Sequence, residues 1–533
     1  MSTDQVGFGC RDALWQSLAD GDQDWDLVVV GGGIIGAGVL REAARRGLKT
    51  LLVEQQDYAW GTSSRSSKMV HGGLRYISHG DIKLTRDSLQ ERERLLREAP
   101  GLIDRMGYHF TLRKGQFPGR IPFSLVLWLY DKLAGIKDHR YFSREKLEQH
   151  YRGVSVEGLT GAMYYTDTVT DDARLVLRVL QDAIVAGGAA INYTRAQSLI
   201  KHQGQVAGVV LQSVDTGAQL EVRCKAVINA TGAWADRLRN EVNPEKRIRP
   251  LRGSHLVLPR HKLPVTDSLS LLHPVDKRPV FIFPWEGATV VGTTDLDHRD
   301  DIDQEASINT QELDYLLEIV RLMYPTLNIT AGDIISTWSG VRPVIGSDKS
   351  TDPSKERRDH AVWVDGGLVT VSGGKLTTFR LIALDALAAA GPALGSVAVK
   401  EASDAIFQTP SISVDQLDTT DRHWAQRLIG RYGDCARTLL EVADAGERQL
   451  IGDTQFCLAE CRWAARHEAV VHLDDLLLRR TRLGSLLENG GEALFPALQG
   501  ICATELNWDD DRWQAEAVRY REIWRKHYYL PTT

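Results

Sequence analysis

Apolar and polar positions follow two different rhythms along the chain, and the change comes near residue 397. Before it, short apolar runs alternate with helical stretches and glycine turns. After it, strand signals vanish. Leu27 to Val30 is an unbroken apolar run and predicts a strand buried on both faces. Ile34 to Arg46 carries helix formers, and Gly47 suits its C-terminal cap. Thr50 to Val53 predicts a second buried strand, ending in Glu54. Asp81 to Arg97 reads as a charged amphipathic helix. Asp171 to Leu180 opens another, with acids in its first turn, and Gly187 and Gly188 close it.

Ala189 to Tyr193 predicts a strand, Gln205 to Val222 a β-hairpin around Asp215, Thr216 and Gly217, and Ala226 to Gly232 a strand entering a glycine turn. This order is half of a doubly wound fold with an antiparallel crossover. From Arg247 to Gly346 the runs Gly253–Leu258, Val280–Phe283 and Thr289–Gly292 predict an antiparallel covering sheet. Ala361 to Val364 and Leu368 to Ser372 form a hairpin, followed by Gly373-Gly-Lys-Leu-Thr-Thr-Phe-Arg380 and a helix through Ala390. Arg422–Leu440, Gln455–His472, Leu473–Leu487 and Asp510–Tyr528 read as helices. In the third of these, Arg479, Arg480 and Arg482 read as a solvated or salt-bridged face.

Composition narrows this picture. The chain has 533 residues, room for two or three domains. Its formal net charge of -6 argues against nucleic acid as a partner. Met1 to Asp24 is polar and acidic, so no signal peptide is expected. No apolar run is read as long enough to span a bilayer, so a cytoplasmic location is expected. The six cysteines form no C-x-x-C pair, and no metal site is expected.

The chemistry concentrates in glycine turns. Gly31, Gly33 and Gly36 are spaced G-x-G-x-x-G between the first strand and helix. They suit a tight turn, close approach to a pyrophosphate, and close helix packing. Glu54 stands where a carboxylate accepts hydrogen bonds from a ribose. The following loop is dense in hydroxyls, with Thr62, Ser63, Ser66, Ser67 and Lys68 as candidate cofactor contacts, and Gly232 opens a further turn. Gly374, Lys375, Leu376 and Thr377 repeat the strand-to-helix turn late in the chain. No second G-x-G-x-x-G serves a nicotinamide, which points to an extended flavin, FAD. The predicted class is α/β: an FAD-binding Rossmann-like domain interleaved with an antiparallel-sheet substrate domain, plus an all-helical C-terminal domain. The expected parts are an extension 1–25, a flavin domain 26–396 and a helical domain 397–533. Within 26–396, stretches 26–100, 165–240 and 345–396 would bind the cofactor, and 101–164 and 241–344 would cover it.

Arg75, Arg342, Arg358 and Lys375 stand in otherwise non-basic segments and suit an anionic substrate, although each alone could be a surface ion pair. His255 could accept a hydroxyl proton or could be structural. Phe110 to Phe142 is basic, with the apolar aromatic core Ile121 to Tyr130. It reads equally as an interfacial segment or a buried helix.

Ser66-Ser-Lys-Met-Val-His-Gly-Gly-Leu-Arg-Tyr76 resembles the signature of FAD-dependent sn-glycerol-3-phosphate dehydrogenases. The resemblance continues in order through Asp171-Asp-Ala-Arg-Leu, Asn229-Ala-Thr-Gly, Gly253-Ser-His, Gly292-Thr-Thr-Asp295, Ser339-Gly-Val-Arg-Pro and Gly373-Gly-Lys-Leu-Thr-Thr. It implies oxidation of glycerol 3-phosphate to dihydroxyacetone phosphate, with electrons passed to membrane quinone. It implies catalytic roles for His255, Arg342 and Lys375, and substrate contacts from Arg75, Tyr76, His255, Arg342, Arg358 and Lys375. It also implies a peripheral protein of the inner membrane face and a homodimer. An oxidase using oxygen and a non-catalytic flavin sensor stay open as alternatives.

Overall fold

A computed structural model describes residues 8, 11–21, 24–74, 77, 80–115, 117–346, 359–395 and 405–531. Its strands in chain order are β1 (Trp25–Val30), β2 (Thr50–Val53), β3 (Ile103–Arg113), β4 (Arg140–Phe142), β5 (Leu159–Thr170), β6 (Ala189–Ile191), β7 (Thr194–His202), β8 (Gln205–Ser213), β9 (Gln219–Asn229), β10 (Ile248–Pro259), β11 (Ser268–Leu272), β12 (Pro279–Trp285), β13 (Ala288–Gly292), β14 (Leu296–Asp297), β15 (Ser336–Ile345), β16 (His360–Asp365) and β17 (Leu368–Gly373).

They form two sheets. In the first, the order β16-β17-β9-β1-β2-β6 is parallel from β17 to β6. The alternation of side chains explains why β1 is apolar throughout. Leu27 and Val29 pack under three helices, Ile34–Ala44, Asp172–Val185 and Phe379–Leu394, while Val28 and Val30 face Leu199, Val209 and Leu211 of the antiparallel β7–β8–β9 layer. That layer takes the place of a crossover helix. The segment before β1 is a helix, Arg11–Ala19, which buries Leu18 in the same layer.

The second sheet runs β14-β10-β13-β12-β11-β3-β5-β4, with β15 on β10. It is antiparallel except where β11 joins β3, so it draws strands from both covering segments. One face packs on the helix Thr310–Met323. The other is aromatic and meets the C-terminal helices.

The C-terminal region is helical, but its helices are broken differently from the expectation. Gly433, at φ 59°, separates Arg422–Tyr432 from Cys435–Glu441. The stretch expected as one helix from Leu473 becomes a short turn of helix, a π-turn at Leu476–Arg480, and Leu483–Leu486. The helix Phe495–Leu506 was not read from the sequence. The arginine cluster is salt-bridged but not solvated. Arg479 and Arg480 are buried on Asp57, each at 2.6 Å, and Arg482 is buried on Asp171 and Asp172. Leu376–Leu394, contrary to expectation, is long and apolar enough to cross a bilayer by length and composition. Its apolar character is accounted for by burial of Phe379, Ile382, Ala383, Ala386 and Leu387 in the core.

Because Asp57 sits between two buried guanidinium groups, Asp57→Ala should lower stability by about 3–5 kcal/mol by stranding their charge. Arg422→Ala, which removes an exposed pair with Asp415, should change it by less than about 1 kcal/mol. Chemical unfolding of the two variants checks the contrast.

Candidate active site

The turn after β1 opens a cavity of about 380 Å³. Gly31 (φ 111°) crosses so close to β9 that a Cβ would stand 2.6 Å from the Ala230 carbonyl oxygen. A Cβ on Gly36 would stand 1.8 Å from the Gly31 carbonyl oxygen, which makes Gly36 the point where helix meets turn. Gly33 caps the helix without a side-chain bond, and the Ile34 N–H donates to Ser63 Oγ at 3.0 Å. The helix N-terminus therefore offers N–H groups and a positive dipole end to the cavity.

Gly31, Gly33, Glu54, Thr62, Ser63, Ser66 and Gly232 line this cavity, as do Gly374, Lys375 and Leu376 from the late turn. Thr62 donates its hydroxyl to the Val341 carbonyl. Glu54 accepts from the N–H groups of Gly32 at 2.6 Å and Gln56 at 2.9 Å. Burial outweighs those donors and pushes its pKa up to about 6. A carboxylate has room for about four hydrogen bonds, so Glu54 has acceptor capacity left for ribose hydroxyls. Arg195, Ala196 and Gln197 also line the cavity and were missed from sequence. The Thr194 N–H donates to the Glu54 carbonyl at 2.7 Å, which draws the start of β7 to the cavity. Only the edge pairing of the sheet could have signalled this.

A second group gathers on the covering sheet. His255 on β10 pairs across the sheet with Gly292 on β13 and Trp338 on β15. A Cβ on Gly292 would lie 2.1 Å from His255 Cδ2, and one on Gly253 would lie 2.3 Å from an Arg342 guanidinium nitrogen. The two glycines thus form a floor that leaves room for the imidazole and the guanidinium. Arg342 donates to Asp295 Oδ1 at 3.1 Å and Thr293 Oγ1 at 3.0 Å. His255 stacks on Trp338 with centroids 5.0 Å apart, and its Nε2 meets Ser67 Oγ at 2.9 Å. Burial, then Arg342 and Lys68, hold its pKa well below the ordinary histidine value, so the imidazole is neutral at neutral pH. Its Nδ1 has no hydrogen-bond partner among the described residues. Lys375 contacts Ser88 Oγ at 3.2 Å from the late turn.

Four expected cofactor contacts fall elsewhere. Gly36 is buried in packing. Ser67 is turned to His255. Lys68 is fully buried, donating to the Ser64 carbonyl at 2.6 Å and Asp172 Oδ1 at 2.8 Å beneath Trp338, with burial lowering its pKa to about 7. Thr377 clamps His71, accepting from its N–H at 3.0 Å and donating to its carbonyl at 3.1 Å. Hydroxyl and amine groups in the loop were all read as cofactor-facing, but Ser67 and Lys68 tie the loop to its neighbours, and the cavity-lining Thr62, Ser63 and Ser66 hydroxyls also bond to Val341, Ile34 and Asp172. Arg75, Tyr76 and Arg358 lie outside the described residues.

Residues 26–384 match the family model of FAD dependent oxidoreductases. The chain belongs to that family. Residues 392–513 match the model of the C-terminal domain of alpha-glycerophosphate oxidase. The chain is 38% identical over 365 residues to the aerobic glycerol-3-phosphate dehydrogenase of Bacillus subtilis, a match spanning 67% of this chain and 65% of that protein. It is 34% identical over 535 residues to glycerol-3-phosphate dehydrogenase 2 of Mycobacterium tuberculosis, spanning 97% and 90%. Its fold aligns with the glycerol-3-phosphate dehydrogenase from Bacillus halodurans complexed with FAD, at TM-score 0.76 and 25% identity, covering 97% of both chains.

The donor set fits FAD, the family's cofactor. A helix N-terminus with glycine as its cap suits its pyrophosphate, and a buried Glu54 with acceptor capacity to spare suits its ribose. Glu54→Ala should weaken FAD retention roughly 10- to 100-fold, the worth of charge-assisted hydrogen bonds, with far-UV circular dichroism unchanged. Flavin-to-protein ratio after gel filtration measures it.

Proposed function

We propose that this chain oxidises sn-glycerol 3-phosphate at C2 to dihydroxyacetone phosphate and passes the electrons to membrane quinone, in glycerol catabolism. The carrying observation is a neutral, buried His255 beside Arg342 over the glycine floor. Removing two electrons from a secondary alcohol takes a hydride from carbon and a proton from the hydroxyl. FAD, when bound, supplies the two-electron acceptor. His255 is in the protonation state that accepts the hydroxyl proton. Arg342, oriented by Asp295 and Thr293, presents a fixed guanidinium suited to the phosphate. Lys375, on the cavity-lining turn, adds positive charge to the cavity. The relatives' names support this substrate.

The C-terminal match favours a second reading, electrons delivered to oxygen. The helix Arg120–Ala134 favours quinone. Phe123, Leu127 and Tyr130 are buried on its inner face, while Ile121, Leu125 and Trp128 are 82%, 66% and 51% exposed along one outer stripe. The buried inner face fits the reading as a packed helix, and the exposed outer stripe supports the interfacial one. A basic-flanked apolar stripe suits insertion at the inner face of the cell membrane.

Anaerobic glycerol 3-phosphate should bleach the flavin, and His255→Gln should slow bleaching roughly 10²- to 10⁴-fold with flavin retained. An unchanged wild-type spectrum would overturn the reading. Since the imidazole must be unprotonated and burial holds its pKa well below the ordinary histidine value, kcat/KM should not fall through this group as the pH is lowered from 8 toward 6. Quinone-analogue reduction without stoichiometric peroxide separates dehydrogenase from oxidase. Replacing Leu125 and Trp128 by Glu should abolish sedimentation with anionic vesicles at low salt; undiminished sedimentation contradicts the membrane face.

A further inference from the structure

Successive residues of β3 face opposite sides of the covering sheet. Tyr108 and Phe110 join the aromatic side, where Phe110 packs 4.9 Å from Phe123. His109 faces the other side, among Phe142, Tyr151 and Tyr164. Because β11 pairs with β3 in register Ser268↔Tyr108, Asp267 stands beside Gly107, whose N–H donates to Asp267 Oδ1 at 3.1 Å. His150 ends the helix Arg144–His150, and its Nε2 meets Asp267 Oδ2 at 2.8 Å. One donor atom from each of His109, His150 and Asp267 lies within 4.8 Å of the other two.

His109 is the telling member. It is fully buried, its Nδ1 contacts the Tyr151 hydroxyl at 2.8 Å, and its Nε2 has no hydrogen-bond partner among the described residues. A buried polar atom left unmatched is costly and rare. With Nδ1–H donated to the tyrosine oxygen, Nε2 carries a lone pair. One nitrogen held by a neighbour and the other left unpartnered is an arrangement that suits a metal-bound histidine, and the Gly107 N–H fixes the carboxylate in the same manner.

We propose that His109, His150 and Asp267 bind a divalent ion of the zinc class. Two imidazoles and one carboxylate exclude calcium and magnesium, which take all-oxygen shells, and match the donors of zinc or cobalt. Tetrahedral bonds of about 2.0–2.1 Å place donors roughly 3.3 Å apart, so the widest gap closes by at most about 1.5 Å and the His150–Asp267 contact opens slightly. The side chains of His150 and Asp267 are 32% and 26% exposed, which gives the ion an entry path and a water as fourth ligand.

The site is remote from His255. Four strand steps separate β10 from β3, roughly 19 Å at the usual strand spacing. The ion therefore clasps strand β3, the helix Arg144–His150 and the start of β11, and does not reach the substrate.

The test uses untagged, FAD-loaded protein, stripped with chelator and titrated with Co²⁺. Wild type should develop one equivalent of cobalt absorption beyond the flavin bands, displaced by Zn²⁺, and Zn²⁺ should raise its Tm. His150→Ala and Asp267→Asn, at partly exposed positions, should each keep FAD and lose both effects. Absence of stoichiometric cobalt binding in wild type, or binding unchanged in both variants, overturns the proposal.

Discussion

Asp57, Asp171 and Asp172 come from the cofactor domain, and the arginines that neutralise them come largely from the C-terminal helices. Arg479 and Arg480 meet Asp57; Arg482 meets Asp171 and Asp172; Arg431 meets Asp171 at 2.8 Å. All are buried. Charges in such a place are tolerable only together, because each alone would carry a desolvation cost of several kcal/mol. The guanidinium groups hold Asp171 far below the usual carboxylate range despite its burial. Asp172 also anchors Lys68 and both the N–H and hydroxyl of Ser66, so the network reaches the loop that borders the cavity. The C-terminal helices thereby help set the position of the loop that borders the cavity.

From that loop the constraint passes to the chemistry. Ser67 is next to Lys68 and touches His255; Trp338 stacks on His255 and donates its indole N–H to the Ser66 carbonyl at 3.2 Å. The same elements that exclude water from His255 keep it neutral. Across the sheet, Gly253 and Gly292 contribute by what they lack, since any side chain there would occupy the space of the guanidinium or the imidazole. Side chains on strands inherit the rigidity of the sheet, which suits orientation-dependent chemistry.

Much of this was legible from the chain. The β1–helix–β2 unit declared itself through local rules: a fully apolar strand, glycines at fixed spacing, and an acid at the second strand's end. The late turn before Phe379 was legible for the same reason, as was the helix Asp172–Val185. The failures share a cause. Lys68 and Thr377 are polar residues beside a cavity, and their side chains turn to Asp172 and His71, partners 104 and 306 residues away. Arg479 and Arg480 look like a surface charge run until Asp57, 422 and 423 residues away, is placed against them. His109, His150 and Asp267 have no spacing that a sequence reader would join.

The sequence by itself therefore determined the elements and the glycine turns that make a flavin fold, because hydrophobic period and backbone sterics act over a few residues. Tertiary structure alone decided where each polar side chain points, which charges are buried together, and that the helix Arg120–Ala134 keeps an apolar stripe outside. Those outcomes depend on desolvation, which only the packing of distant segments can set.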